Sequence, residues 1–143
     1  MNIKIKLIDG GKMPEYKSDG AACADAYARL PTSYIMIPQG ARCLINLGFA
    51  VELPYGYEME IRPRSGLSKR GLDVAQGTCD WDFRGEVKAC VINNTGGEFV
   101  VNNLDRICQL KIQRAEQFSF EQVDELSETE RGEGGWGSTG VSG

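Results

Sequence analysis

Histidine is absent from the 143 residues of this chain. That removes Ser–His and Cys–His nucleophile pairs, imidazole bases and histidine zinc sites. Acid–base work falls to carboxylates, Lys, Tyr or metal-bound water. No Cys-x-x-Cys occurs among Cys23, Cys43, Cys79, Cys90 and Cys108, and an odd count does not close a disulfide framework. Cys43, Cys90 and Cys108 lie in apolar runs, so they are expected as small buried hydrophobes in a reducing cytoplasm. No basic excess exists: 16 Lys and Arg face 20 Asp and Glu, for a net charge of −4. A nucleic-acid grip built on phosphate neutralisation is therefore not expected. A few placed arginines, backbone N–H groups and a divalent metal can still hold a small anion. No apolar run is long enough to span a bilayer, and Met1-Asn2-Ile3-Lys4-Ile5-Lys6-Leu7 has no signal-peptide core. No membrane role is expected. The expected location is cytoplasmic, or the host-cell interior or nucleus for a viral or eukaryotic chain.

What is present reads as short strands. Ile3–Leu7 and Tyr57–Arg62 alternate apolar with polar residues, as half-buried strands do. Tyr34–Pro38, Glu98–Val101, Ile107–Ile112 and Phe118–Val123 read as further strands. Cys43–Leu53 reads as a strand or a pair, with Gly48 as a bulge. Lys17–Ala28, rich in small residues, is expected as a tightly packed strand or loop. Ser65–Arg70 is the one expected helix, capped by Ser65 and stopped by Gly71. Strands at steady spacing between Gly and Pro turns predict a single all-β domain, barrel or sandwich, over residues 1–125. Residues 126–143 are polar and Gly-rich and predict a flexible arm.

Several stretches carry chemistry. Gly77-Thr-Cys-Asp80-Trp-Asp82-Phe83-Arg84-Gly85-Glu86 precedes an apolar strand from Val87 and predicts a hairpin raising Asp80 and Phe83 at a pocket mouth. Asp80 is then a general base or merely a turn former, and Phe83 a flat apolar platform. Asp80 and Asp82 would share one strand face. Arg64-Ser65-Gly66 brings a cation, a hydroxyl and free N–H groups to a helix start, which suits an anion or an ordinary cap. Gln109 within a strand needs a polar partner. Asp25 among alanines is a turn former or a metal-side ligand. In the tail, Arg131 offers a guanidinium fork, Trp136 a stacking face, and Ser138 and Thr139 hydroxyl donors. Gly132-x-Gly134-x-x-Gly137 matches a dinucleotide fingerprint in spelling only, because no strand–helix unit can follow it.

Gly20–Asp25, Arg62–Leu67, Gly77–Glu86, Asp105–Leu110 and Arg131–Gly140, in this order, resemble the motifs of the homotrimeric dUTPase (deoxyuridine triphosphate nucleotidohydrolase) family. The resemblance implies a distorted jelly-roll, β-barrel-like subunit, three of which build active sites at their interfaces. It implies Mg²⁺-assisted hydrolysis of dUTP to dUMP and pyrophosphate, with Asp80 activating the water that attacks the α-phosphorus. By the same resemblance Phe83 underlies the deoxyribose, and the main chain of Leu72–Gly77, with Val74 and Gly77, reads uracil. Arg64, Ser65, Gly66 and Gln109 hold phosphates, and Asp25 reaches the metal through water. Arg131, Gly137, Ser138 and Thr139 close over the phosphates, with Trp136 over the base.

The chain departs from the family pattern at a few positions. Phe83 stands where Tyr is usual, and Trp136 where Phe is usual. Cys23 and Ala26 flank Asp25 in place of Gly and Leu, and Val74 replaces a frequent Asn. Alternative functions are a dCTP deaminase, alone or bifunctional with dUTPase activity, and a regulatory protein retaining the fold. A structural barrel with a disordered tail would leave the ordered motifs unexplained.

Overall fold

The computed structural model describes residues 2–135. Among them the chain forms strands β1 (Lys4–Leu7), β2 (Ala24–Tyr27), β3 (Tyr34–Ile37), β4 (Arg42–Asn46), β5 (Phe49–Glu52) and β6 (Tyr57–Arg62). A one-turn helix α1 (Ser65–Ser68) follows. Then come β7 (Leu72–Ala75), β8 (Gly77–Cys79), β9 (Lys88–Asn93), β10 (Phe99–Asn102) and β11 (Arg106–Arg114). All pairings are antiparallel. They make four small sheets: β1–β5, β10–β3, β2–β11–β6–β8 and β4–β9–β7. The result is the expected all-β, jelly-roll-like architecture around one core.

Inward residues of these sheets, with Leu47 between β4 and β5, make that core. Phe49, Ile37, Ile45, Leu47, Met59, Leu72, Val91 and Ile107 are all fully buried. In β9 the alternation is strict: Ala89, Val91 and Asn93 point in, while Lys88, Cys90 and Ile92 lie on the outer side. Asn93 is a buried amide with its bonds satisfied. Its Nδ2 donates to the carbonyls of Ile37 and Gly97, both at 2.8 Å, and its Oδ1 accepts from Thr95 N–H at 2.9 Å. It thereby ties β9 to β3. All of β2 is buried, because small side chains let β11 pair on one side and Glu15 bridge on the other.

Several expectations need correcting. Gly48 is not a bulge inside a strand but the junction between β4 and β5, at φ +77°. A Cβ there would stand 2.4 Å from the Gly11 Cα, so only glycine fits. Ser65 does not cap α1. Arg64 does, in an extended conformation and with no side-chain cap bond, its carbonyl accepting from the N–H groups of Leu67 and Ser68. The helix therefore begins one position earlier than a serine cap would require.

Phe118–Val123 forms no strand: β11 runs on to Arg114, Ala115 N–H still donates to the Gly56 carbonyl at 2.9 Å, and residues 116–135 join no strand. Phe118, Phe120, Val123 and Leu126 are exposed. They leave an apolar stretch that no described strand covers.

Candidate active site

The stretch around Asp80 is not a hairpin. Strand β8 pairs with β6, and β9 pairs with β4 and β7, so Asp80–Val87 crosses between two sheets. Asp80 and Asp82 lie in a turn closed by Phe83 N–H donating to the Asp80 carbonyl at 3.2 Å. Two-residue strand periodicity therefore does not put them on one face. The crossover nevertheless puts Asp80 and Phe83 where the sequence suggested. Both line one open cleft of about 410 Å³, with Ile61, Gly77, Thr78, Cys79, Glu86, Val87 and Lys88. Asp80 is exposed, and its carboxylate makes no hydrogen bond with a described residue. Phe83 is 43% exposed and presents an apolar face. Gly77 pairs with Ile61 at the cleft floor. Val74 is buried in the core, so only its main chain is offered to a ligand, and its N–H already meets the Asp73 carboxylate at 3.0 Å. Leu72–Gly77 is likewise no hairpin arm, since β7 and β8 belong to different sheets.

The second group of expected residues gathers around Asp25. Strand pairing sets Gln109 between Asp25 on β2 and Arg62 on β6. Asp25 is neither a turn former nor free: Arg64 Nε donates to its Oδ1 at 3.2 Å, and Arg106 Nη1 to its Oδ2 at 3.0 Å. Arg64 Nη1 also donates to the Arg106 carbonyl at 2.8 Å. The partner Gln109 needed is the Pro63 carbonyl, at 2.7 Å from its Nε2. That bond holds the strand end on which Arg64, Ser65 and Gly66 follow. Ser65 and Gly66 are exposed, and a Cβ on Gly66 would meet nothing within 4 Å. Packing within the chain therefore does not demand glycine there.

These two groups do not meet within one chain. Arg64 lines a different cleft, with Arg70, Phe99, Asn102, Asp105 and Arg106 among its walls, and neither Asp80 nor Phe83 reaches it. Arg131 is exposed in the arm, where its Nε donates to the Gly134 carbonyl at 2.7 Å. Trp136, Gly137, Ser138 and Thr139 lie outside the described residues.

Some residues escaped the sequence reading. Arg106 shares Asp25 with Arg64. Glu86 accepts both arms of the Arg29 guanidinium, at 2.8 and 2.9 Å, beside the cleft. That pair holds the Glu86 carboxyl below the usual carboxylate range. Cys79, next to Asp80, is a buried thiol pushed up by desolvation and then by the Asp80 charge. Burial pushes Cys108 up to about 12. No local motif marks the Arg29–Glu86 pair, because its members are 57 positions apart.

Among the described residues no group of three or more Cys, Asp or Glu side chains could hold a metal ion. Asp25, between two guanidinium groups, is a poor host for a bare dication. These residues fit no resident metal site in which the protein supplies the inner ligands. No helix among the described residues is long and apolar enough to cross a membrane.

The all-β fold places an exposed carboxylate beside an aromatic ring in one cleft and an arginine-rich corner in another. The chain belongs to the dUTPase family, whose model matches residues 9–140. It is 48% identical to the deoxyuridine 5'-triphosphate nucleotidohydrolase of Treponema denticola, over 99% of this chain and 100% of that protein. It is 45% identical to the protein of the same name from Bdellovibrio bacteriovorus, over 96% of this chain and 95% of that one. Its fold is similar to that of a Staphylococcus bacteriophage 80alpha dUTPase mutant with dUpNHpp, at TM-score 0.90 and 25% identity over 98% and 99% of the two chains. It is also similar in fold to a mutant dUTPase of phage phi11 of S. aureus described with a structural Mg(II) ion, at TM-score 0.80 and 20% identity over 90% and 100%.

Proposed function

We propose that the chain hydrolyses dUTP to dUMP and pyrophosphate. The single observation that carries this reading is the cleft in which Asp80, with no carboxylate bond to a described residue, stands beside the Phe83 ring in a chain of this family. Asp80 takes a proton from a water as its oxygen bonds the α-phosphorus. The bond to the bridging oxygen breaks, and pyrophosphate leaves with that electron pair. Phe83 lies against the deoxyribose and excludes a 2′-hydroxyl. Uracil meets main-chain groups of Leu72–Gly77, at Val74 and Gly77. Arg64, Gln109 and the N–H groups of Ser65 and Gly66 hold the phosphates. Mg²⁺ bound with the triphosphate would offset phosphate charge, and Asp25 would be the carboxylate on its side, through water.

The active unit is a homotrimer in which the Arg64 face of one subunit meets the Asp80 cleft of the next. Two observations support this: the two residue groups line separate clefts in one chain, and Phe118, Phe120, Val123 and Leu126 are apolar and uncovered. Residues 1–125 form the β domain, and the arm of residues 126–143 closes over the site. Arg131, Gly137, Ser138 and Thr139 then meet the phosphates and Trp136 meets the base. The chain acts in the cytoplasm.

The test is to incubate the protein and Mg²⁺ with dUTP, dCTP, dTTP and UTP, and to assay pyrophosphate and ammonia together. Pyrophosphate from dUTP alone is expected, with kcat falling at least about 100-fold in Asp80→Asn. Ammonia from dCTP would move the chain to deaminase chemistry. Binding of dUTP with neither product would make it a regulatory protein.

A further inference from the structure

The loop that carries Asp80 and Phe83 leaves β8, which is paired with β6, and is held at its far end by the Glu86 side chain. Glu86 Oε1 accepts from Arg29 Nε at 2.8 Å and from the Gly48 N–H at 3.1 Å, and its Oε2 accepts from Arg29 Nη2 at 2.9 Å. Next to it, Val87 N–H donates to the Phe49 carbonyl, and Leu47 N–H to the Val87 carbonyl, both at 2.9 Å. Arg29 is fixed in turn: its own N–H donates to the Asn46 carbonyl at 2.7 Å, and its stem lies against Gly48. Both side chains are largely buried, at 25% and 16% exposure. The bond is a two-point fork, which fixes direction as well as distance.

What this fastening positions is the aromatic ring. Phe83 lies over Gly85, so closely that a Cβ there would stand 2.5 Å from its Cζ. Gly85 is bonded directly to Glu86. Within the loop, Arg84 Nη1 donates to the carbonyls of Trp81 and Phe83 at 2.8 and 3.0 Å, which stiffens the segment between ring and anchor. A shift of the Glu86 carboxylate therefore passes through one glycine to the ring that lines the Asp80 cleft.

We propose that Arg29 and Glu86 are a positioning pair: their forked bond sets the height of the Phe83 ring in the Asp80 cleft, and with it the preference for deoxyribose over ribose. This rests on the reading of Phe83 as the sugar platform. Neither residue touches the reacting atoms. A pair that only stabilised the fold would lower Tm and leave the relative use of dUTP and UTP unchanged. A positioning pair shifts that ratio.

The experiment compares Arg29→Lys, Glu86→Gln and Phe83→Ala, singly and with each of the first two combined with the third, using the full chain and both nucleotides. Lysine keeps the charge and loses the fork; glutamine keeps a bond to Gly48 and loses the charge. Arg29→Lys is expected to lower the dUTP:UTP ratio of kcat/KM by about tenfold, through KM for dUTP, with kcat for dUTP within about twofold of the native value. Glu86→Gln is expected to shift the ratio in the same direction. Neither change has a further effect on the ratio once Phe83→Ala is present. If Phe83→Ala lowers the ratio but folded Arg29→Lys and Glu86→Gln do not, the positioning pair is overturned and the platform stands. If Phe83→Ala leaves the ratio unchanged, the platform reading itself fails. Should Glu86→Gln not fold, Arg29→Lys decides alone.

Discussion

Arg64 Nε donates to Asp25 Oδ1 at 3.2 Å, so the guanidinium expected to meet phosphate is oriented by the carboxylate expected near the metal. One strand residue thus sets the approach of two cations, since Arg106 takes the other oxygen. The Asp25 side chain is 12% exposed and the two arginines 26% and 44%, so the cluster is half-sheltered. Removing the charge leaves two guanidinium groups facing each other across an uncompensated gap.

Asp25→Asn should therefore cost stability and activity together. A loss of about 1–3 kcal/mol is expected, below the cost for a fully buried pair because the arginines reach water. Urea melts at constant m-value would show it. KM for dUTP should rise, because Arg64 loses its direction. An unchanged KM would separate Arg64 orientation from Asp25.

Stability should depend on pH through Glu86. Arg29 holds the Glu86 carboxyl below its unfolded value, and the Gly48 N–H acts in the same direction. The folded form is the better acid, so this contribution is fully present above the unfolded carboxylate range and is lost as pH falls through the folded value. Native protein should exceed Glu86→Gln in Tm at pH 7, and the gap should shrink as pH falls below about 4.5. A gap constant from pH 7 to pH 3 would mean that the ion pair adds nothing to the native state.

The thiols should divide by burial. Cys23, Cys43 and Cys90 are half-exposed, whereas Cys79 and Cys108 are buried, and all are free. Burial raises both buried thiols, Cys108 to about 12, so neither forms thiolate readily at pH 8. Iodoacetamide followed by peptide mass mapping should mark only the first three in native protein, and all five in guanidinium. Native labelling of Cys79 would show that the Asp80 loop opens more than its bonds to residues 47–49 allow.

The strands legible in advance were those whose residue types alternate between apolar and polar. Tyr57–Arg62 could be read because apolar Met59 and Ile61 stand between polar neighbours, although Glu60 is buried too. Asp80 and Phe83 could be picked out because a carboxylate and an exposed aromatic in one Gly-bounded stretch serve packing poorly. Phe118–Val123 misled for the same reason that the others succeeded. Alternation shows that a face seeks cover, but not which chain supplies it. The hairpin expected at Asp80 failed because neighbours in sequence, β8 and β9, took partners in different sheets.

The sequence by itself determined the all-β class, the chemistry open to a chain without histidine, and the candidate residues proposed for the site. These depend on local periodicity and on side-chain type, which sequence states directly. Tertiary structure alone decided that Asp25 is shared by Arg64 and Arg106, that Glu86 is fastened to Arg29, and that the Arg64 and Asp80 clefts lie apart. Each of these joins groups distant along the chain, and such contacts exist only once the sheets have chosen their partners.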